Sequence, residues 1–524
     1  MFKEGAITPK EAYVKKGAIT LEGVGGEEIA LTKVDVVIMN PPFTRQERLP
    51  KDYKASLVKR LRDYKGILHA QLGFYGYFLP LADSFLKDNG RIAFVLPATI
   101  LRIKSTENIR KFLLKNYQME FILTTLQRAA FSEGAQFREI LLVAKKSKRI
   151  PDNKLCTIVN LKKIPQSLGE AIKFSHTIKE KKHTVYEDEN MRMFPVSTKD
   201  LRENVSNWFA FVAVEDANLF EVWKSIREKT KEKMISLTDQ ASKVNATPLR
   251  FDLSHVGRSE GHGFILKESI RAKKSYDRWI ISKESPKKIV AVDRATQSTA
   301  SIPRKALEGG LRRASGTRAI DVSDIHDYIV VSKFPEIQKI IKNPNVVKKW
   351  KAYVKKRKAH LLLAERFDIS APGTFALAFY SDKPIVGAGT MCCFKDMPKP
   401  DAKIISLWLN STLNLLQIIL KRKETRGAWM RIHHYMFDDL SVINPMRLGQ
   451  GEKKLLYDVF EKEAKRFLPS ILEQLKSKNS IRVSIDEAFL KVLGFTQKET
   501  KDIVDYLYPA LANEIEKLKT LMEG

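Results

Sequence analysis

The chain has 524 residues, 44% of them hydrophobic, too many for one ordinary domain and enough apolar material for two or three packed cores. Lys and Arg outnumber Asp and Glu 92 to 61, a formal charge of +31, and that excess suits a polyanionic partner. Three cysteines exclude a disulfide framework, and no apolar run reaches the ~18 residues of a membrane span.

In chain order, residues 18–21 and 29–31 suit short strands. The apolar run Val36, Val37, Ile38, Met39 then reads as a buried parallel strand. It stops at Asn40-Pro41-Pro42-Phe43, because proline has no N–H for a sheet ladder. The result is a short, stiff loop at a strand's carboxyl end, the edge where open α/β sheets bind ligands. It carries an amide oxygen, a rigid carbonyl and an aromatic face, three groups that suit a planar base bearing an amine. A basic stretch follows, including Arg45, Arg48, Lys51, Lys54 and Arg60. It suits either phosphate contacts or a solvated helix face.

Periodicity predicts a helix over 77–86, stopped by Gly90 as a left-handed residue. A strand over 91–97, a helix over 106–115, a strand over 119–124, a turn at 131–134 and a strand over 138–144 come next. This succession predicts an α/β fold, the second half of a doubly wound sheet. Residues 148–200 lose periodicity and read as a connector with small strands such as 156–159. From 208 to 445 the pattern is irregular, with basic, glycine-containing loops around Arg258 and around Arg312, Arg313 and Arg318. Such loops suit groove and phosphate contacts. Asn410 is placed to cap a following helix. The last 74 residues, 451–524, are helical. Their stripes, such as Leu507, Leu511, Ile515 and Leu518, suit a core or a dimer seam. The adjacent Cys392 and Cys393 have no zinc-ligand spacing, so no metal site is expected.

Asn40-Pro41-Pro42-Phe43 resembles the Asn-Pro-Pro-aromatic motif of adenine-N6 DNA methyltransferases of restriction–modification type. The resemblance implies a catalytic loop in which Asn40 and Pro41 accept hydrogen bonds from the adenine amine. Pro42 stiffens the loop, and Phe43 stacks on a base flipped out of the duplex. Phe131, near the last turn, is similar to a second aromatic of that family that packs on the flipped base, with core packing as the equal rival reading. Residues 404–412 and 424–429, the latter containing Arg426, resemble segments of the family's target-recognition domains. The implied architecture is α/β: the C-terminal half of a methyltransferase (Rossmann-like) sheet, a mixed α+β target-recognition domain and a C-terminal helical segment. The expected boundaries are 1–150, a connector over 151–207, then 208–448 and 449–524.

The resemblance implies S-adenosyl-L-methionine as cofactor and double-stranded DNA as partner, while the cysteine usage suits a reducing cytoplasm and no membrane association is expected. It also places the cofactor's glycine-rich turn well upstream of Asn40. Gly23-Val24-Gly25-Gly26 is a candidate by glycine count only, and Gly387-Ala388-Gly389 suits a permuted order but precedes a helix-breaking stretch. The expectation is therefore a chain completed by an N-terminal methyltransferase half or another restriction–modification subunit. A non-catalytic DNA-recognition subunit, and a methyltransferase for RNA or protein, are the alternative readings.

Overall fold

The computed structural model describes residues 13–16, 28–44, 48–64, 66–68, 71–125, 131, 138–216, 218–250, 265–268, 279–324, 327–330, 354–422 and 427–523. The chain forms two compact units, Met1–Ala217 and Asn218–Gly524.

In the first unit, β1 (Tyr13–Lys16) and β2 (Glu28–Leu31) pair as an antiparallel ribbon. Then come β3 (Val34–Met39), α1 (Lys51–Arg60), α2 (Tyr75–Phe85), β4 (Leu86–Pro97), α3 (Glu107–Asn116), β5 (Tyr117–Thr125) and β6 (Glu139–Lys146). They are followed by β7 (Leu155–Leu161), α4 (Leu168–Glu180), β8 (Tyr186–Glu187) and β9 (Met191–Ser197). Seven strands make one sheet in the order β3-β4-β6-β5-β7-β9-β8. β3 runs parallel to β4, and β5 parallel to β7, while β6 is antiparallel to both its neighbours. The parallel strands, their crossover helices and the closing antiparallel strand are the expected second half of a doubly wound sheet.

Two expectations change here. Residues 151–207 are not a mere connector, because β7, β8 and β9 extend the same sheet. Their burial is nearly continuous along β7, which the short strand signal at 156–159 underestimates. Gly90 does not end a helix either. α2 stops at Phe85, and Asn89 is the residue with positive φ, at 64°. Gly90 lies within β4, where an added Cβ would come 2.8 Å from the Asp35 carbonyl oxygen on β3. The glycine is a close-approach residue that lets two parallel strands meet.

α2 is tied to the sheet through Asp83. Its carboxylate accepts from Tyr117 Oη at 2.5 Å and Tyr64 Oη at 2.7 Å, and it pairs with Lys146 Nζ at 2.9 Å. Burial pushes the Tyr117 phenol far up, so it remains a donor in this network.

In the second unit ten strands form a mixed sheet: β10 (Thr247–Arg250), β11 (Ile265–Glu268), β12 (Trp279–Glu284), β13 (Lys288–Asp293) and β14 (Thr299–Pro303). The others are β15 (Leu307–Leu311), β16 (Asp327–Val330), β17 (Lys358–Ala364), β18 (Ala378–Gly387) and β19 (Met391–Lys395). Their order is β10-β19-β17-β18-β15-β16-β11-β12-β13-β14. The helix α5 (Lys399–Asn410) is buried against β17 and β18, and α6 (Thr412–Lys421), α7 (Gln450–Glu463) and α8 (Ser480–Val492) pack on α5. α9 (Gln497–Glu523) closes this bundle with Leu507, Leu511 and Ile515 buried. The stripe on α9 is thus core, and the helical segment joins the second unit instead of standing apart. Asn410 does not cap α6. Ser411 does, accepting from the Asn414 N–H, while Asn410 reaches back to the backbone of Leu377 and Ala378. Among the described residues no single helix is long and apolar enough to cross a membrane, and the apolar pair α5–α6 is bent by 64° and buried in the fold.

Candidate active site

The Asn40 loop leaves the sheet at the carboxyl end of β3. Met39 lies opposite Phe94 of β4, so the loop stands beside the last residues of β4 and the turn Ala98–Leu101 that follows them. Asn40 is exposed, Pro41 is buried, Pro42 is exposed and Phe43 is half-buried. The alternation follows from a proline-stiffened backbone, which seats the Pro41 ring in the protein and leaves Asn40 at the surface. Thr44 accepts the Phe74 N–H through its carbonyl at 3.0 Å, tethering the loop to the start of α2.

Tyr75, in the first turn of α2, stands edge-on to Phe43 with ring centroids 6.4 Å apart. Burial pushes its phenol above the usual range, against the opposing pull of the Thr99 hydroxyl. Sequence reasoning missed Tyr75, although its position in the aromatic run Phe74, Tyr75, Tyr77 and Phe78 was a signal. The turns after β4 are held from below by Arg110, which is fully buried on α3. Its guanidinium donates to the carbonyls of Ile100 at 2.6 Å, Val205 at 2.6 Å and Ser206 at 2.9 Å, and to Thr106 Oγ1 at 2.8 Å. A buried charge distributed over so many acceptors is a stiff anchor.

β3 is the edge of the sheet among the described residues. Val34, Val36 and Ile38 are 40%, 52% and 79% exposed. On the opposite face Val37 is buried with Ile92 and Phe94. The strand therefore has one covered face, one bare apolar face and one unpaired side.

The other expected site residues scatter. Phe131 does not reach the Asn40 loop: it packs on Val159, Leu161, Met191 and Met193, beside α4. Those residues sit on β7 and β9, and β7 is four places from β3 in the strand order, roughly 19 Å at ~4.8 Å per strand. Arg48 is exposed just before α1, a helix with no buried residue. Arg312 is a second correction: it is only 8% exposed and therefore packed inside the second unit instead of lying on an open loop. The loop it was read in is a tight passage where Arg312 accepts the Thr390 N–H and the Asp327 carboxylate takes its own N–H. Arg313 is half-buried, and Arg318 is exposed above the rings of Phe375 and Phe467, at 5.3 and 5.7 Å. Arg45, Arg258 and Arg426 lie outside the described residues.

Comparison with known proteins adds to this geometry. Residues 11–131 match the family model of the Eco57I restriction-modification methylase. A type II restriction enzyme and methyltransferase of Escherichia coli, RM.Eco57I, is 23% identical over 113 residues, which are 22% of this chain and 11% of that protein. Among solved structures, the type IIG restriction endonuclease BpuSI is similar over 93% of this chain, with 14% identity and a TM-score of 0.42. The type IIL restriction-modification enzyme MmeI in complex with DNA is similar over 93%, with 12% identity and a TM-score of 0.44. The chain spans 54% and 57% of those two proteins. The segment that matches the family model is the one that contains β3, the Asn40 loop, Tyr75 and β4, so the chain is similar to the Eco57I restriction-modification methylases over residues 11–131.

Proposed function

We propose that this chain is the base-binding and DNA-reading part of an S-adenosylmethionine-dependent methyltransferase acting on the N6 amine of adenine in double-stranded DNA. The observation that supports this most is the Asn40 loop: an exposed asparagine at a strand's carboxyl end, followed by a buried proline and an aromatic ring backed by Tyr75. An aryl amine is a poor nucleophile because its lone pair is delocalised into the ring. Two acceptors, Asn40 Oδ1 and the Pro41 carbonyl oxygen, can take its two N–H bonds and turn the lone pair out of the ring plane. Phe43 would hold the extruded base by stacking, and the charge that develops on the amine during attack is met by oxygens already in place.

S-adenosylmethionine, when bound, supplies the electrophilic methyl group. The turn at Gly387 and Gly389 does not fit its pocket. Gly387 and Gly389 lead from β18 into β19, a strand and not a helix, and Gly23–Gly26 lie outside the described residues. The bare face and unpaired side of β3 support a completing partner: a methyltransferase half, or another restriction–modification subunit, that adds a strand there and covers Val36 and Ile38.

The test is methyl transfer to duplex DNA by the chain supplied with that half, with the product base identified by mass spectrometry. N6-methyladenine is the expected product. Methylated RNA or protein with unmodified DNA would overturn the assignment, and tight DNA binding without methylation would leave a recognition subunit. DNA affinity should fall steeply with added salt as phosphate contacts release counterions.

A further inference from the structure

Three side chains far apart in sequence converge in the second unit. Glu365 follows the last residue of β17, Cys392 lies on β19, and His434 opens a short turn, His434–Asp438. β17 and β19 are antiparallel with Leu363 opposite Cys392, so Glu365, two residues on from Leu363, lies on the same face diagonally from Cys392. The third residue is delivered by the backbone, since the Ile432 N–H donates to the Glu365 carbonyl at 2.9 Å. One oxygen, one sulfur and one nitrogen then lie within 4.8 Å of one another.

The geometry discriminates between possible roles. Cys392 Sγ is 3.6 Å from His434 Nε2, and Glu365 Oε1 is 3.3 Å from the same nitrogen. A cysteine–histidine–acid nucleophile needs the two ring nitrogens for two different partners. Here both partners face Nε2, so the imidazole cannot relay a proton between them. A single Nε2 cannot accept from a thiol and donate to a carboxylate at once. A cation at their centre satisfies all three atoms. With zinc–sulfur, zinc–nitrogen and zinc–oxygen bonds of ~2.3, ~2.05 and ~2.05 Å at tetrahedral angles, the S···N and N···O edges are ~3.6 and ~3.3 Å. Both observed distances match.

We propose that Glu365, Cys392 and His434 bind a zinc-class divalent cation, with a water as fourth ligand. The mixed sulfur, nitrogen and oxygen donors favour zinc over magnesium or calcium, which take oxygen ligands. Cys392 and Glu365 are buried, whereas the His434 side chain is 41% exposed and marks the solvent side. Arg250 holds the carboxylate through the same oxygen that faces His434: its Nε donates to Glu365 Oε1 and its Nη2 to the Ile432 carbonyl at 3.2 Å. A hydrogen-bonded ligand carboxylate is the usual outer shell of such sites. The Arg250 charge offsets one of the two anionic ligands, thiolate and carboxylate. The ion would clamp the β17–β19 strand pair to the segment that presents the exposed rings of Trp429 and Tyr435.

The test is titration of the chelator-stripped full chain with cobalt(II). One equivalent should bind and give the visible bands of tetrahedral cobalt, with a thiolate-to-cobalt charge-transfer band that zinc then bleaches. Cys392→Ser should remove the charge-transfer band, and His434→Ala should weaken cobalt binding at least tenfold. Cys156→Ser, in the other unit, should change neither. His434→Ala decides the matter if Cys392→Ser does not fold, because the imidazole is half exposed and its loss leaves no hole. No charge-transfer band at excess cobalt, or a band and affinity unchanged in His434→Ala, would overturn the proposal.

Discussion

Tyr75 meets Phe43 edge-on, with the two ring planes at 88°. Tyr75 is 6% exposed and fixed in the first turn of α2, whereas Phe43 is half-buried on the loop. The edge contact orients the Phe43 ring without covering both its faces, which a stacking platform needs. Phe43→Ala should weaken capture of an extruded 2-aminopurine by ~1–3 kcal/mol, read by fluorescence, with little effect on melting. Tyr75→Ala should instead destabilise the first unit by ~3–5 kcal/mol in urea titration. Equal stability losses for the two would show that Phe43 is only core.

Gly90→Ala tests the joint between β3 and β4. The new methyl would meet the Asp35 carbonyl oxygen at 2.8 Å, a backbone atom that cannot swing aside. A cost of ~1–3 kcal/mol is expected, with amide exchange accelerated along β3 first. Because β3 carries the Asn40 loop, the same substitution should lower methylation by the completed enzyme more than it lowers DNA binding.

β3, β4, α3 and the closing strand are legible because each is a long apolar run or stripe ended by its own punctuation, such as Pro41 or Pro97. What failed was of two kinds. Arg312 was read as loop because glycine and arginine surround it, but the neighbours that bury it come from the 387–390 turn and β16, which only sheet register brings near. Phe131 carried a role by analogy, while the cluster that receives it is built by β7 and β9, strands read as a connector. Glu365, Cys392 and His434 escaped for the same reason: the spacing that joins them is cross-strand, not sequential.

Asn410 and Ser411 separate two roles that the sequence merged. Asn410 Oδ1 accepts from the N–H of Leu377 at 2.7 Å, and its Nδ2 donates to the carbonyls of Ala378 and Ser406 at 2.7 and 2.9 Å. Truncation leaves several buried backbone groups without partners, each costing ~1–3 kcal/mol. Ser411→Ala removes one helix cap, typically worth ~1 kcal/mol. Thermal melts should therefore place Asn410→Ala well below Ser411→Ala. The reverse order would restore Asn410 as a mere cap.

Glu499 should make the second unit acid-sensitive. The Lys229 ammonium beside it, with the Thr496 N–H and hydroxyl, holds its carboxyl at about 2 against an ordinary 4.5. The lowered value means that the folded state favours the carboxylate. Its stabilisation is complete above the unfolded value and is lost as pH falls from about 4.5 through about 2. Melting temperatures measured at intervals through that window should fall for the parent chain and fall less for Glu499→Gln. Parallel curves would remove this contact from the acid response.

The catalytic assignment stands or falls with Asn40. Its amide is exposed at the end of β3, so substitution should not disturb packing, and melting of Asn40→Ala should match the parent. In the completed enzyme the loss falls on the transition state. The amine gains positive charge as it attacks, and an acceptor already aimed at it contributes on the order of 3 kcal/mol, a hundredfold or more in rate. DNA affinity draws mainly on phosphate contacts elsewhere and should persist. Asn40→Asp keeps an acceptor oxygen at the same place and should lose less than Asn40→Ala. The measurement is single-turnover methylation with DNA saturating, so that binding is held constant and only the chemical step is compared. A parental single-turnover rate in Asn40→Ala would mean that the amine is held by some other pair of acceptors, and that the loop is only the end of a strand.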